Sequence, residues 1–202
     1  NATTAPVLSA SVDRLVQGQL APELALDVLL AAESSSDPSI KASLARYNAT
    51  KDAGDPLSPY LETLQGGDSG RGQTVFETSV VAQCTLCHRV GRDGSNVGPR
   101  LNKIGEKTPH YLLESLVNPG AVVAMGFGVT TVTLQNGSVI AGTLLAENAN
   151  TTTIKLADGT EQKIPRATIA NRTPEMSAMP PMGTLISKLE LRDLLAYLQT
   201  LK

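Results

Sequence analysis

The stretch Cys84-Thr85-Leu86-Cys87-His88 places two thiols and an imidazole at a spacing with a definite chemical meaning. Two intervening residues make one short helical turn that presents both sulfurs to the same side, and the histidine follows at once. Thiols so placed can form thioethers to the vinyl groups along one porphyrin edge, while a neutral imidazole nitrogen is a good axial ligand for the iron. The spacing is that of a c-type haem attachment site. It predicts one haem c, covalent through Cys84 and Cys87, with His88 as the proximal ligand.

Other uses of two cysteines fit less well. A structural disulfide or a thioredoxin-like pair calls for a βαβ setting, whereas the flanks read as helix and loop. A structural zinc site needs four protein ligands; the chain has 2 Cys and 2 His, and His110 falls in a separate helical stretch.

The remaining composition narrows the function. In 202 residues, 17 Lys and Arg stand against 19 Asp and Glu, a net charge of −2 that gives nucleic acid or an acidic membrane surface little to hold. No apolar run approaches the roughly 20 residues of a bilayer span. The first residues, NATTAPV, lack the regions of a signal peptide, so an exported protein would be met here in mature form or as a fragment. Both cysteines are assigned to the haem and leave none to report on disulfides. Because thioether attachment is normally completed outside the cytoplasm, the expected location is periplasmic or otherwise extracytoplasmic.

Outward from the motif, residues 1–66 read as short amphipathic helices. Leu15 to Leu30 carry two apolar stripes around a turn at Gly18 to Pro22, Asp37-Pro38 opens a third helix, and Asp55-Pro56 starts a fourth that ends at Gly66-Gly67. Residues 67–202 form the haem-bearing part. Asp68 or Ser69 caps a helix containing Gly70, Gly72 and Phe76. Helix-weakening glycines there imply a close crossing with the last helix, where Ser187 and Glu190 form a capping box ahead of Leu191, Leu194, Leu195 and Leu198.

After the motif comes a glycine-rich loop. Its Gly98-Pro99 turn is placed to offer a carbonyl to the second nitrogen of His88. Between Arg89 and Lys107, five basic residues (Arg89, Arg92, Arg100, Lys103, Lys107) face two acidic ones, a local +3 suited to haem propionates or to steering an acidic partner. Pro99 and Arg100 are therefore counted with the cofactor-binding residues. From about 127 to 172 the period switches to alternation, with turns at Asn136-Gly137 and Asp158-Gly159; this reads as a small antiparallel sheet or barrel inserted in a helical domain. The loop 174–185 then offers Met176, Met179 and Met182. A thioether opposite histidine favours ferrous iron and raises the potential, and Met179, in Ser-Ala-Met-Pro, is the preferred sixth ligand, with Met125 and His110 as the other candidates.

With these residues in view, the chain resembles the haem-binding c-type cytochrome domain at the C-terminus of large planctomycete and verrucomicrobial proteins. The resemblance rests on Gly70-Arg71-Gly72 with Phe76, the CTLCH motif, Val97-Gly98-Pro99, Tyr111 to Ser115, the two turns named above, Ser177 to Pro180, and Asp193 to Leu198. It covers about residues 66 to 202, and the first third is similar, more weakly, to the helical-repeat segment that often precedes such domains. It implies a mainly α fold with a class I cytochrome c core and a β insert, together with a redox partner protein or fused dehydrogenase domain. The expected function is one-electron transfer through a His88/Met179-ligated haem, without enzymatic activity of its own. A haem enzyme or gas sensor with a displaceable sixth ligand is the second reading, and an interaction module with a structural haem the third.

Overall fold

The computed structural model describes residues 5–202; the part of the expected helical segment that falls on residues 1–4 lies outside the described residues. The chain divides into two compact units, each assembled from separated segments. One contains the chain up to Cys84 with Asn102–Val117 and Met182–Lys202, and the other contains Thr85–Leu101 with Asn118–Pro181.

In the first unit, helices α1 (Ala5–Val16), α2 (Ala25–Glu33) and α3 (Pro38–Ala49) share a small core. Val12, Ala32 and Ile40 are buried at its centre, with Leu8, Val28, Leu44 and Tyr47 packed around them. Asp37 starts α3 by accepting a hydrogen bond from the Ser39 amide at 2.8 Å. The fourth helical stretch expected before Gly66 is a 3-10 helix, Ser58–Leu64. Its Glu62 is buried with Tyr47, whose hydroxyl donates to Glu62 Oε1, and with the Lys51 ammonium at 2.9 Å from the same oxygen. Burial, and then that contact with Glu62, push the Tyr47 hydroxyl pKa well above its ordinary value.

Helices α4 (Ser69–Thr78), α5 (Cys84–Cys87), α6 (Pro109–Val117) and α7 (Lys188–Thr200) follow. Asp68 caps α4 through the Arg71 amide at 2.8 Å, and Ser187 and Glu190 form the reciprocal capping box of α7. Leu191, Leu194, Leu195 and Leu198 of α7 are at most 5% exposed, and each such burial contributes roughly 1.5–3 kcal/mol. The crossing of α4 with α7 is close enough that a Cβ on Gly72 would lie 1.9 Å from the Asp193 carbonyl oxygen. Gly70 meets no such contact, so only one of the two glycines serves the crossing. Asp193 then binds α4 from below: its carboxylate accepts from the Asp68 amide at 2.8 Å and from Arg71 Nε at 2.6 Å.

The second unit is built on an antiparallel sheet of six strands: β3 (Gly128–Leu134), β4 (Val139–Glu147), β5 (Thr151–Lys155), β6 (Glu161–Pro165), β7 (Ile169–Arg172) and the short β8 (Met176–Ser177). The order is β6-β5-β4-β3-β7, with β8 also pairing β3. Val132 stands opposite Ile140, and Leu144 opposite Ile154. Val132, Leu144, Ile154 and Ile164 are buried as a core of the sheet's own, joined by Leu134, Ile140, Leu156 and Ile169. Bulges at Leu144/Ala146 and Thr133/Leu134 raise the local twist of the strands.

This arrangement corrects the expected fold class. The protein is about 44% helical and 18% strand, with a six-stranded antiparallel sheet forming a core, and is not a mainly α class I cytochrome c with a minor insert. The physical reason is that the paired strands bury Val132, Leu144, Ile154 and Ile164 against one another, enough apolar surface to form a core of their own. A second departure lies just after the motif, where the glycine-rich loop contains a two-stranded hairpin, β1 (Arg89–Val90) with β2 (Asp93–Gly94).

Two expectations follow for stability. Gly72→Ala should destabilise the protein by about 1 kcal/mol in urea unfolding, because overpacking against a backbone carbonyl costs about 1–3 kcal/mol and outweighs the roughly 1 kcal/mol of helix propensity gained; an unchanged midpoint would contradict the close crossing. The carboxyls of Asp37, bonded first by the Ser39 hydroxyl, and of Asp68, bonded first by the Arg71 amide, are held below the usual carboxylate range. Their contribution is complete above the unfolded value of about 3.9 and is lost as the pH falls through the depressed folded values. Stability measured from pH 5 downward should therefore fall less steeply in Asp68→Asn than in the parent protein.

Candidate functional site

The site is assembled from short-range bonds around the motif. Ser79 opens a turn in which the Gln83 amide donates to its carbonyl at 3.0 Å. Gln83 itself lies in the left-handed region, with φ of +47°, which is costly for a residue with a Cβ and marks a sharp change of direction into α5. Cys84 and Cys87 occupy the two ends of that single helical turn and are not joined by a disulfide. Cys84 is half-buried and Cys87 exposed.

The segment 94–101 folds back and is stitched to the motif by backbone bonds. Gly98 donates to the Cys87 carbonyl at 2.7 Å, Ser95 to that of His88 at 3.3 Å, and Leu101 to that of Arg89 at 2.9 Å. These bonds bring the Pro99 carbonyl oxygen to 2.8 Å from His88 Nδ1. A carbonyl only accepts, so Nδ1 carries the hydrogen, and in the neutral ring Nε2 keeps its lone pair. Gly98 lets the loop come this near: a Cβ there would be 3.0 Å from His88 Cε1 and 3.1 Å from Nδ1.

The structure thus brings Cys87, His88 and Pro99 together through the local backbone, with Cys84 at the start of the same helical turn as Cys87. Arg100 follows Pro99 and is exposed. Its neighbour in the basic stretch, Arg89, is the more constrained cation, since its Nε is buried with no hydrogen-bond partner. The four methionines occupy different settings. Met125 is exposed, and Met176 is exposed in β8 opposite Val129. Met182 is buried, at 3% exposure. Met179 is half-buried on an irregular stretch, its amide donating to Ser177 Oγ at 3.1 Å, in the same compact unit as His88. His110 is exposed on α6.

Among the described residues, no group of three or more His, Cys, Asp or Glu side chains comes together to hold a bare metal ion. A haem needs no such group, because the porphyrin supplies four nitrogens and the protein adds at most two axial ligands. Leu86, inside the motif, is 62% exposed, and Val97, on the loop stitched to it, is 70% exposed. Two large apolar side chains left bare beside a pair of thiols and an oriented imidazole suit the apolar face of a macrocycle, and the orphaned Arg89 Nε suits a propionate.

No protein-family model matches the chain, and no curated protein matches it as a relative. No helix among the described residues is long and apolar enough to cross a membrane.

Sequence reasoning did not find the β1–β2 hairpin or the three stitching bonds. The signal was present in Gly91 and Gly94, whose positive φ values of 59° and 99° permit the two reversals, but glycines in an aperiodic stretch do not say which backbone they will meet. The orientation of His88 can be tested without any cofactor. Gly98→Ala should turn the ring away from Pro99, so that the ring-nitrogen NMR shifts of His88 move from the Nδ1–H tautomer toward a mixture, and a spectrum identical to the parent's would contradict the role given to Gly98.

Proposed function

We propose that this protein is a monohaem c-type cytochrome that transfers single electrons. The observation that carries the reading is the His88–Pro99 bond at 2.8 Å: it leaves the Nε2 lone pair free to ligate, immediately after two cysteines on one helical turn. In this reading Cys84 and Cys87 tether the haem and His88 is the proximal ligand. Met179 would supply the second iron ligand, and Arg89 and Arg100 would be the cations available to the propionates. The bound haem supplies a one-electron Fe(III)/Fe(II) couple. The protein's part would be to supply His88 and Met179 to the iron, so that it is not offered to substrate, and a thioether ligand would favour the ferrous state. With both axial positions filled, no enzymatic activity is assigned to this chain.

An extracytoplasmic, periplasmic location follows from thioether attachment. A redox partner, either separate or a dehydrogenase domain of the same polypeptide, would deliver the electron. The basic stretch from Arg89 to Lys107 supports a partner with an acidic face.

A redox-titrated visible spectrum tests haem, ligation and reversibility together. The expected result is a c-type pyridine haemochrome at one haem per chain, a single one-electron titration, and a ferric methionine-to-iron band that disappears in Met179→Ala. The band should survive in Met176→Ala. Met182→Ala should keep it too while losing about 2–5 kcal/mol of stability from its buried site. Absence of covalent haem would overturn the proposal, and rapid CO binding by the reduced protein would replace the electron carrier with a haem enzyme or gas sensor.

A further inference from the structure

We infer that Ser177 is a positioning residue for the sixth axial ligand: as the last residue of β8 it fastens Met179 to the six-stranded sheet, which thereby becomes the platform on which the ligand stands. The inference rests on the His88/Met179 reading given above, and every residue it uses belongs to the compact unit that contains His88. The Ser177 hydroxyl oxygen accepts from the Met179 amide at 3.1 Å. Ser177 is itself paired with Gly128 of β3, and Met176 with Val129. Exposure alternates along this stretch: Met176 and Ala178 are exposed, whereas Glu175, Ser177 and Met179 are half-buried. The alternation groups Met179 with the serine that holds it and separates it from Met176, which is 69% exposed.

Ser177 can serve as an anchor because the chain leading to it is laid along β3. Strand β7 pairs with β3 as far as Arg172. The Thr173 amide then donates to the Thr131 carbonyl at 3.0 Å, and the Thr131 amide donates to the Thr173 hydroxyl oxygen at 2.9 Å. The hydroxyl of the buried Thr130 donates to the Thr173 carbonyl at 2.6 Å. Past Pro174 an ion chain closes the step into β8, with Arg172 pairing with Glu175, and with Glu147 of β4 at 3.4 Å. Glu175 packs so closely on the start of β3 that a Cβ on Gly128 would lie 2.7 Å from its own Cβ. Beyond Ser177 the slack is small. Only Ala178 stands between the serine and Met179, and Pro180 biases Met179 toward extended backbone. One hydroxyl thus carries the order of the sheet across to a methionine that no strand contains.

The test uses the full chain loaded with haem. Ser177→Ala removes the hydroxyl, and Ser177→Thr keeps it as the conservative rescue. Haem content by pyridine haemochrome and the far-ultraviolet circular dichroism should match the parent in both. In Ser177→Ala the Met179 amide should exchange with deuterium about fivefold faster, the scale of one lost hydrogen bond. The ferric methionine-to-iron band should weaken, and CO should bind the reduced form about fivefold faster; Ser177→Thr should behave as the parent does. An unchanged band and unchanged CO binding in a fully loaded Ser177→Ala protein would overturn the inference, even with faster amide exchange. So would a Ser177→Thr protein that fails as the alanine variant does, or loss of the band only in step with loss of circular dichroism, which would mark Ser177 as merely structural. Failure of the underlying reading is separate and visible in Met179→Ala. If that variant keeps the band, Met179 is not the ligand and the inference falls with that reading, while amide exchange in Ser177→Ala still reports whether the serine holds the methionine.

Discussion

Two backbones can approach to van der Waals contact only where one of them lacks a side chain, and the helical unit depends on one such place. At Gly72, α4 meets the Asp193 carbonyl of α7 with no room for a methyl group. The same aspartate then makes the approach specific, since its side chain, 8% exposed, would be costly to bury without partners and finds them in the Asp68 amide and the Arg71 guanidinium. Apolar packing from the leucines of α7 supplies the bulk of the driving force. The glycine and the buried carboxylate supply the register, which neither the leucines nor helix propensity could set. The turn that leads out of α4 through Gln83 starts from that fixed point.

The region around His88 is held by a different principle. Little of it is buried deeply, and its order comes from backbone hydrogen bonds between adjacent segments rather than from a core. Such a scaffold fixes one thing well, the tautomer and tilt of a single imidazole, and leaves apolar side chains such as Leu86 and Val97 bare. That combination is unfavourable for a finished surface and suitable for one completed by a large planar ligand. In the sheet unit, by contrast, the residues that matter are Val132, Leu144, Ile154 and Ile164, which need nothing beyond one another.

How far the sequence discloses this structure depends on the range of the interaction. Caps and turns are local, and Asp37, Asp68, the Ser187–Glu190 box, Asn136-Gly137 and Asp158-Gly159 all appear where their spacing puts them. The orientation of His88 by the Gly98-Pro99 turn, eleven residues away, could also be reasoned out, because few carbonyls can reach that ring. The weight of the sheet was underestimated: alternation reveals strands, but the burial that makes them a core arises from pairings such as Leu144 with Ile154 that no single strand announces. Tyr60 was wholly illegible. Its hydroxyl donates to the Gly183 carbonyl at 3.1 Å, but an aromatic residue among the leucines of the 3-10 helix Ser58–Leu64 carries no mark of a partner 123 residues away, and only the assembled fold shows it.

The discontinuity of the helical unit has a consequence for how the chain is made. Synthesis proceeds from the N-terminus, and domains settle as their parts emerge. The strands of the sheet pair mostly with their neighbours in sequence, so that unit can order as it appears. Helix α4 must wait: its partner α7 begins at Lys188, about a hundred residues beyond the cysteines, and until then Gly72 has nothing to cross. The two thiols are thus presented on a chain whose helical unit is still open, and the step that joins α4 to α7 comes after the interval in which those thiols are easiest to reach.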